Sequence, residues 1–203
     1  MTEVGIRAPK RGPYSKTTLR RQQIIDEVLT VIDDLGFEGT SLRAIAETIG
    51  VTHPVLVHHF GTKEQLFLEV LREHELRFVA SESPEGEGLA DALRRSAEYS
   101  TQTPGYMALL NSMVARALES GNDHSREYFS ARYANLRADI VRALDAGRDA
   151  GTIRSDIPLD TAAAVLLAAA DGLSTQWLLD KSVDLADGLV FLEKLLEPAN
   201  RAR

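Results

Sequence analysis

The sequence predicts an all-α protein, and three observations support that prediction. Apolar residues recur at spacings of three and four along most of the chain, which places them on one face of an α-helix. Glycine and proline interrupt this pattern at intervals, as they do at helix ends. No segment shows the period-two alternation of β-branched residues that is expected of strands. With 203 residues, the chain is long enough to bury a proper core in one large unit or two modest ones.

The composition narrows the classes of function. The chain has no cysteine, which excludes disulfides, a thiol nucleophile and a thiolate metal site. Its first twelve residues, MTEVGIRAPKRG, lack the apolar core of a secretory signal. The most apolar run, residues 162–170, is bounded by Asp160 and Asp171 and is about half as long as a membrane span. We therefore expect a cytoplasmic protein with no membrane partner.

The charge is unevenly distributed along the chain, whose net value is −7. Residues 1–21 contain six basic residues and one acidic residue, whereas residues 81–203 contain thirteen basic and nineteen acidic residues. Binding to a polyanion follows such local patches rather than the total charge. A basic terminus is often charged only to stay solvated. It favours nucleic-acid binding when a DNA-binding unit follows it.

The first predicted elements are an arm and a helix. Residues 1–16 include Pro9, Gly12 and Pro13 and show no helical period, which predicts a flexible basic arm. From Thr17 onwards the apolar spacing is helical, and Gly36 is expected to end this amphipathic helix. Its apolar face consists of Ile24, Ile25, Val28, Leu29, Ile32 and Leu35.

Residues 40–67 contain three short helical segments, each with its own start signal. Thr40 or Ser41 can cap the first segment. Gly50 is expected to end it, because glycine enters the left-handed conformation without a Cβ penalty. The first two segments are thus joined by a tight glycine turn.

The second and third segments have equally clear starts. Thr52 is in place to cap the second segment, and Pro54 lies in its first turn, where a backbone N–H has no helical partner. Thr62 and Gln65 have the spacing of a capping box at the start of the third. Two short helices around a glycine turn, followed by a third, describe a helix-turn-helix unit. We assign residues 17–80 to this unit.

The second half of the chain is predicted to form a larger helical unit. Residues 81–88, SESPEGEG, are acidic and rich in helix breakers, which indicates a boundary between units. Residues 81–203 therefore form the second unit. Its helices are expected at about residues 89–101, 104–120, 124–150, 158–179 and 184–197.

The string from Thr40 to Leu66 resembles the TetR family of transcriptional regulators. The resemblance rests on I-A in the first segment, G-V at the turn, H-x-F at the end of the second and T-K-E-x-L at the start of the third. It extends over about residues 18–70, and later only D-G-L-x-x-x-W, residues 171–177, adds to it. The resemblance implies an all-helical dimeric repressor. The N-terminal heads would bind a palindromic operator, and the C-terminal domain would hold a small-molecule pocket.

The outward face of the second segment is the predicted DNA reader. A recognition helix presents its exposed side chains to base edges in the major groove. His53 can donate to guanine, and Val55 can pack on a thymine methyl group. Arg43 matches a position that reaches DNA in related proteins, and arginine suits bidentate contact with guanine. The remaining predicted DNA-binding residues, which would contact phosphates, are Thr52, His59, Thr62 and Lys63. The amide-rich start of the third helix is itself a predicted anion site.

One position departs from the family pattern. An aromatic residue, usually tyrosine, commonly lies where this chain has Val57 and grips the DNA backbone. Valine cannot make that hydrogen bond. We therefore expect phosphate affinity to depend more on Lys63, His59 and the basic arm.

The three clustered histidines do not predict a metal site. His58 and His59 are adjacent and point apart on a helix, and His53 adds no matching spacing. No carboxylate or cysteine completes a ligand set. We therefore predict neither a metal nor a cofactor.

The C-terminal unit is expected to contain a ligand pocket, although most aromatic residues of a helical domain are ordinary core. Methionines and tyrosines suit an apolar pocket with a few polar groups, and Asn111 could supply one of these. The candidate lining residues are Tyr99, Tyr106, Met107, Met113, Arg116, Tyr128, Phe129 and Trp177.

The last two predicted helices have more apolar surface than one domain core needs. Surplus apolar surface on a soluble chain usually indicates association, so we predict a two-fold interface of four helices. Simple internal packing is the alternative. The candidate interface residues are Val165, Ala169, Leu173, Leu185, Leu189, Leu192 and Leu196.

The sequence features allow three functions to be compared. The first is a dimeric repressor, released from its operator by a small-molecule effector whose identity, like the choice between repression and activation, the residues leave open. The second is a helical enzyme with His124 as its base. No nucleophile, metal set or phosphate loop accompanies that histidine, so no enzyme activity is expected. The third is an interaction adaptor whose helix-turn-helix does not read DNA. The basic arm, Arg43 and Lys63 argue against it, whereas Val57 favours it.

Overall fold

The computed structural model describes residues 13–81 and 87–198. Within these two ranges the chain forms nine α-helices and no strand, which confirms the predicted fold class. The helices are α1 (Pro13–Gly39), α2 (Leu42–Thr48), α3 (His53–Phe60), α4 (Lys63–Ala80), α5 (Leu89–Thr101), α6 (Pro104–Ala117), α7 (Asp123–Asp149), α8 (Leu159–Leu179) and α9 (Leu185–Lys194).

Most of the predicted basic arm, residues 1–12, lies outside the described residues, as do residues 82–86 of the predicted connector. The first helix begins at Pro13, so the start predicted at residue 17 was too late. Proline is well suited to the first position of a helix, because its missing N–H has no partner there. In the C-terminal unit, α5 has the predicted bounds, and α6 to α9 lie within a few residues of theirs.

Gly36 interrupts α1 as predicted. Its backbone has φ 70° and ψ 165°, a conformation that favours glycine. Thr40 is buried beside this bend, and its hydroxyl donates to the Gly36 carbonyl at 2.5 Å. Ser41, rather than Thr40, caps α2 by accepting a hydrogen bond from the Ala44 N–H at 3.0 Å. Local hydrogen bonds therefore form the corner that leads into α2.

The starts of α3 and α4 also follow the sequence. Thr52 occupies the N-cap position of α3, although its side chain makes no capping hydrogen bond. At α4 the predicted capping box is complete. Thr62 accepts from the Gln65 N–H at 3.1 Å, and its own N–H donates to the Gln65 amide oxygen at 3.0 Å.

One apolar core joins the two predicted units. It runs from Ile24 and Val28 of α1 through Leu71 of α4 to Met107 and Met113 of α6. A smaller cluster lies at the far end of the C-terminal unit and consists of Leu144, Ile153, Ala163 and Leu166. Because α1 and α4 share their core with α6, the helix-turn-helix head rests directly on the C-terminal unit.

By length and composition alone, the 21-residue helix α8 could cross a membrane. It packs against α6, α7 and α9, and Asp171 on it accepts a hydrogen bond from Tyr133 of α7. Its remaining face is uncovered and consists mainly of small and apolar residues, among them Ala164, Val165, Ala168 and Gly172. Such a face on a bundled helix is typical of a surface that associates with another molecule.

Candidate nucleic-acid interface and ligand cavity

The structure orients α3 as the sequence predicts. Leu56 and Phe60 are buried in the core of the head. On the opposite side Thr52 and His53 are exposed, and Val55 is half-buried. The helix can therefore enter a groove with its predicted reading face outward.

Arg43 also lies at the surface of the head. Its side chain is 83% exposed on α2, and its nearest carboxylate is Glu47, one turn along the same helix, at 3.8 Å. An ion pair this exposed contributes little and is easily exchanged for another partner. The guanidinium is therefore available to a base or a phosphate.

Lys63 differs from the prediction. Its ammonium donates to the Phe37 carbonyl at 3.2 Å and lies over the rings of Phe37 and Phe67, at 4.8 and 5.3 Å from their centroids. The side chain thus stabilises the corner between α1 and α4. Contact with a phosphate would require it to leave these partners.

The start of α4 is a weaker anion site than predicted. The capping box already occupies the N–H groups of Thr62 and Gln65. Fewer backbone donors therefore remain for a phosphate.

The remaining residues of α3 follow the sequence prediction only in part, because His58 and His59 were expected to point apart and their rings are in contact. Val57, at the position where the family pattern has an aromatic residue, is exposed on the outer surface. His58 is exposed and His59 half-buried, and their rings meet edge to face at 5.3 Å. Within residues 13–81 and 87–198, no group of three or more histidine, aspartate and glutamate side chains could hold a metal ion.

The C-terminal unit contains a cavity of about 450 Å³. Its wall is built from α4 to α9 and is largely apolar, with aromatic side chains from α4, α5 and α6. This size and character are those of a small-molecule site. The polar side chains of the wall include His74, Glu75, Arg132, Asp171 and Ser174.

Glu75 is the centre of one polar cluster in this wall. Its carboxylate accepts hydrogen bonds from the hydroxyls of Tyr106 at 3.4 Å and Tyr128 at 3.2 Å, and from the guanidinium of Arg132. Burial raises the pKa of both tyrosines, and the negative charge of Glu75 raises it further. Both hydroxyls therefore remain donors at physiological pH, and α4, α6 and α7 are joined at this point.

His74 lies beside this cluster with its ring 3.8 Å from that of Tyr106, in a stacked arrangement. The residue is 8% exposed, and its Nε2 has no hydrogen-bond partner among the described residues. Burial, with a further effect from the charge of Arg77, lowers the pKa of His74 to about 4. The imidazole is therefore uncharged at neutral pH.

A second polar group faces the cavity from α8. Asp171 accepts a hydrogen bond from the Tyr133 hydroxyl at 2.7 Å. Burial and this bond raise the pKa of Tyr133 to about 12. Near it the buried hydroxyl of Ser174 accepts from Asn111 at 3.4 Å, so the polar contribution expected of Asn111 reaches the wall through Ser174.

Comparison with known proteins identifies the family to which this chain belongs. The family model "Bacterial regulatory proteins, tetR family" matches residues 24–70, and the model "BetI-type transcriptional repressor, C-terminal" matches residues 86–197. The second match alone covers more than half of the chain. The chain belongs to the TetR family. It is a DNA-binding transcriptional regulator and not an enzyme.

Individual relatives of this TetR-family regulator agree. The chain is 30% identical over 154 residues to the HTH-type transcriptional repressor Rv1474c of Mycobacterium tuberculosis, which covers 76% of this chain and 80% of the relative. It is 28% identical over 185 residues to the repressor AcnR of Corynebacterium glutamicum, covering 86% and 94%. A solved putative TetR-family regulator from Rhodococcus sp. has the same fold, with a TM-score of 0.72, 23% identity and coverage of 88% and 98%.

The pocket predicted for the regulator is only partly the cavity observed. Tyr99, Tyr106 and Met107 line it. The other five candidates do not. Met113 and Phe129 are buried in the core, Tyr128 borders a separate cleft, Arg116 donates to Asn122, and Trp177 packs against the core with Lys181 over its ring.

His74, Glu75 and Arg132 were not predicted to line the cavity. The candidates were the aromatic and sulfur residues of the second half of the chain, with Asn111 and Arg116 as polar groups. Glu75 and Arg132 are 57 residues apart, so no local spacing pairs them. The sequence of α4 does contain one indication that His74 is unusual. His74 and Leu71 are three residues apart on the buried face, where an ionisable side chain is unusual.

The predicted association residues require a correction. Leu185 and Leu189 are buried in the core of their own chain and line the cavity, and Leu192 and Leu196 pack against the smaller apolar cluster. Ala169 and Leu173 are half-buried against the main core. The apolar stripe on α9 therefore serves internal packing, which was the stated alternative. Of the predicted set, Val165 is 54% exposed.

A different face of α8 and α9 is open. Phe191 and Leu195 are one turn apart on α9 and exposed. Leu195 and Val165 border an apolar groove of about 280 Å³, whose wall also includes Leu166, Leu192 and Leu196. Two leucines of the predicted stripe, Leu192 and Leu196, thus border this open apolar surface, whereas Leu185 and Leu189 are buried inside the chain.

Proposed function

We propose that this TetR-family regulator is a cytoplasmic repressor that binds a palindromic operator as a homodimer and is released from it by a small molecule. The observation that carries the proposal is the position of α4. Its first turn follows the exposed reading helix α3, and its later turns supply His74 and Glu75 to the cavity wall. One rigid helix therefore joins a DNA-facing surface to a ligand-sized cavity.

DNA reading is assigned to the exposed face of α3 and to Arg43. Thr52, His53 and Val55 would face the major groove, and Arg43 would approach it from α2. His59, Thr62 and Lys63 would lie nearest the phosphates, with Lys63 requiring the rearrangement described above. Val57 supplies no hydrogen bond at the outer edge of the helix.

Dimerisation is assigned to the open face of α8 and α9. Phe191 and Leu195 of one protomer would pack with Val165 in the groove of the other, so that two helices from each chain form a two-fold bundle. A two-fold protein matches a palindromic site, because each half-site then meets an identical α3.

Release is assigned to the cavity. A ligand can lower DNA affinity only if it binds one separation of the two heads better than the other. Since α4 forms part of the cavity wall, a ligand that displaces His74 or Glu75 would also shift the start of this helix. DNA and ligand would then weaken each other's binding reciprocally.

The test is selection of duplexes from a random DNA pool by the full chain, followed by gel retardation of the selected fragment. We expect a palindromic fragment whose retardation weakens steeply as salt is raised, because bound phosphates release counterions. A dimer that retards every DNA fragment to the same extent would contradict the repressor proposal. It would favour the interaction adaptor, which the aliphatic Val57 and the engaged Lys63 also favour.

A further inference from the structure

The start of α7 lacks the cap that a helix of this length normally has. Asn122 occupies its N-cap position but makes no capping bond, because its side-chain oxygen accepts from the Arg116 guanidinium at 3.3 Å instead. The first turn of any helix has backbone N–H groups without helical partners. In α7 such a group, the N–H of Ser125, is completely buried, so it needs an acceptor from elsewhere.

Glu64 of the DNA-binding head provides that acceptor. Its carboxylate accepts the Ser125 N–H at 3.1 Å and also the Ser125 hydroxyl. A carboxylate at this position interacts favourably with the positive end of the helix dipole. Glu64 lies in the first turn of α4, next to Lys63, and Ser125 lies in the ligand-binding unit. A residue of the head thus caps a helix of the other unit.

This contact and the Glu75–Arg132 pair are two anchor points between α4 and α7. On α4 the two points are Glu64 and Glu75, which are eleven residues apart, or about 16 Å along the helix. Between them lies a polar cleft of about 540 Å³ that borders Gln65, Arg72 and Glu127. Besides these two points, the Arg72 guanidinium lies over the Tyr128 ring at 5.6 Å, so hydrogen bonds at both ends and this contact between them hold α4 on α7.

The two anchor points differ in their access to a ligand. Glu75 and Arg132 form part of the cavity wall, whereas Glu64 and Ser125 do not. A ligand can therefore disturb the first point directly while the second remains. The Glu64–Ser125 contact would then be the point about which the head turns on α7, and we call this contact the pivot.

We propose that Glu64 and Ser125 are positioning residues for DNA binding, which hold the reading head in one orientation on α7. The inference rests on the proposed DNA binding by α3. Without the contact the head samples more orientations, and binding to an operator must restrict them again at a cost in affinity.

Ser125→Ala is the sharpest test, because it removes one hydrogen bond without changing the charge near DNA. We expect its operator affinity to fall roughly tenfold in a dimer, with the dependence on salt unchanged. Affinity is measured with the DNA duplex that the wild-type chain selects from the random pool. Thr152→Ala is the matched control, since it removes a hydroxyl bond to the Gly147 carbonyl at the opposite end of α7. It should destabilise α7 similarly and leave DNA affinity unchanged.

A double-mutant cycle separates positioning from general destabilisation. Glu64→Ala removes the acceptor and also a negative charge that would repel DNA, so its own effect combines two opposite contributions. In the Glu64→Ala background, however, Ser125→Ala should cause no further loss of affinity. The proposal is overturned if Ser125→Ala has the same effect in both backgrounds, has none in either, or raises DNA affinity.

Amide hydrogen exchange gives a second readout. We expect bound operator to slow exchange at the Ser125 amide, although this amide belongs to the ligand-binding unit, because binding and the pivot stabilise each other. Unchanged exchange there would contradict the coupling. If the wild-type chain selects no duplex at all, the proposed DNA binding fails instead, which is a distinguishable result.

Discussion

At the scale of single residues, the two neighbouring ionisable side chains of α4 have opposite surroundings. Glu75 has three donors from three side chains, whereas the Nε2 of His74 has none among the described residues. A buried polar atom without a partner lowers stability, and in His74 it also excludes the charged form. His74 should therefore couple folding to pH.

Replacing His74 with phenylalanine should remove this coupling. The folded chain holds the pKa of His74 at about 4, against 6.5 for an ordinary histidine. Between these values the unfolded chain binds a proton that the folded chain does not. Stability from this group is therefore complete above pH 6.5 and is lost as the pH falls towards 4, by on the order of 3 kcal/mol. Urea unfolding across this range measures it.

Phenylalanine keeps an aromatic ring against Tyr106 and does not titrate. We expect His74→Phe to be at least as stable as the wild type at pH 8 and to have a shallower fall in stability below pH 6.5. Identical pH profiles of the two proteins would contradict the assignment of the slope to His74.

Arg43 and Lys63 should differ in how their loss affects DNA binding. Arg43→Ala should relax specificity at one base pair, by about 1–3 kcal/mol of discrimination. Lys63→Ala should weaken all sequences alike, and it should also lower thermal stability because the Phe37 carbonyl loses one of its donors and the rings of Phe37 and Phe67 lose their cation. Affinities for a set of single-base variants of the selected duplex distinguish the two. A uniform loss in both mutants would show that Arg43 does not read a base.

At the scale of the element, α9 has one face buried in the chain and another exposed to solvent. Leu189 is 3% exposed and packs on α5 and the cavity, whereas Phe191, two residues on, is 61% exposed. The leucines were predicted to face a partner because their spacing defines an apolar face. Spacing identifies a face, however, and not what covers it.

Truncating Leu189 should destabilise the fold itself. Leu189→Ala removes buried methyl groups and enlarges the neighbouring cavity, so the free energy of unfolding should fall by about 2–4 kcal/mol. Lys194→Ala, an exposed change on the same helix, should stay within about 0.5 kcal/mol of the wild type. Equal urea midpoints for the two variants would place Leu189 outside the core.

At the scale of the whole molecule, the core shared by α1, α4 and α6 couples the head to the C-terminal unit. In the proposed dimer the open face of α8 and α9 would contact the second protomer. If a dimer binds its operator with two heads at once, as proposed, variants that lose the dimer should also lose operator affinity.

Introducing a charged residue into the open face of α8 and α9 tests whether dimerisation and DNA binding are lost together. Val165→Glu places a carboxylate beside the apolar groove, where pairing would bury it without a partner. We expect a monomer in sedimentation and at least a hundredfold loss of operator affinity. Leu118→Glu adds the same charge at an exposed position away from this face and should remain dimeric. A dimeric Val165→Glu protein would place the interface elsewhere.

The sequence by itself determined the features that depend on neighbours along the chain. The bend at Gly36, the capping box of Thr62 and Gln65, and the outward face of α3 all arise from contacts within a few residues, so spacing and residue type were sufficient. The family resemblance lies in the same local stretch. The nine helices of residues 13–81 and 87–198 and the exposed face of α3 were therefore predictable.

Only the tertiary structure decided which distant residues meet. It turned Lys63 onto Phe37, placed the α9 leucines inside the chain, and brought Glu75 to Arg132 and Glu64 to Ser125. These partners are separated by 26 to 61 residues, and their meeting depends on how whole helices pack. Local periodicity states which face of a helix is apolar. Packing then decides whether the chain, a ligand or a second protomer covers it.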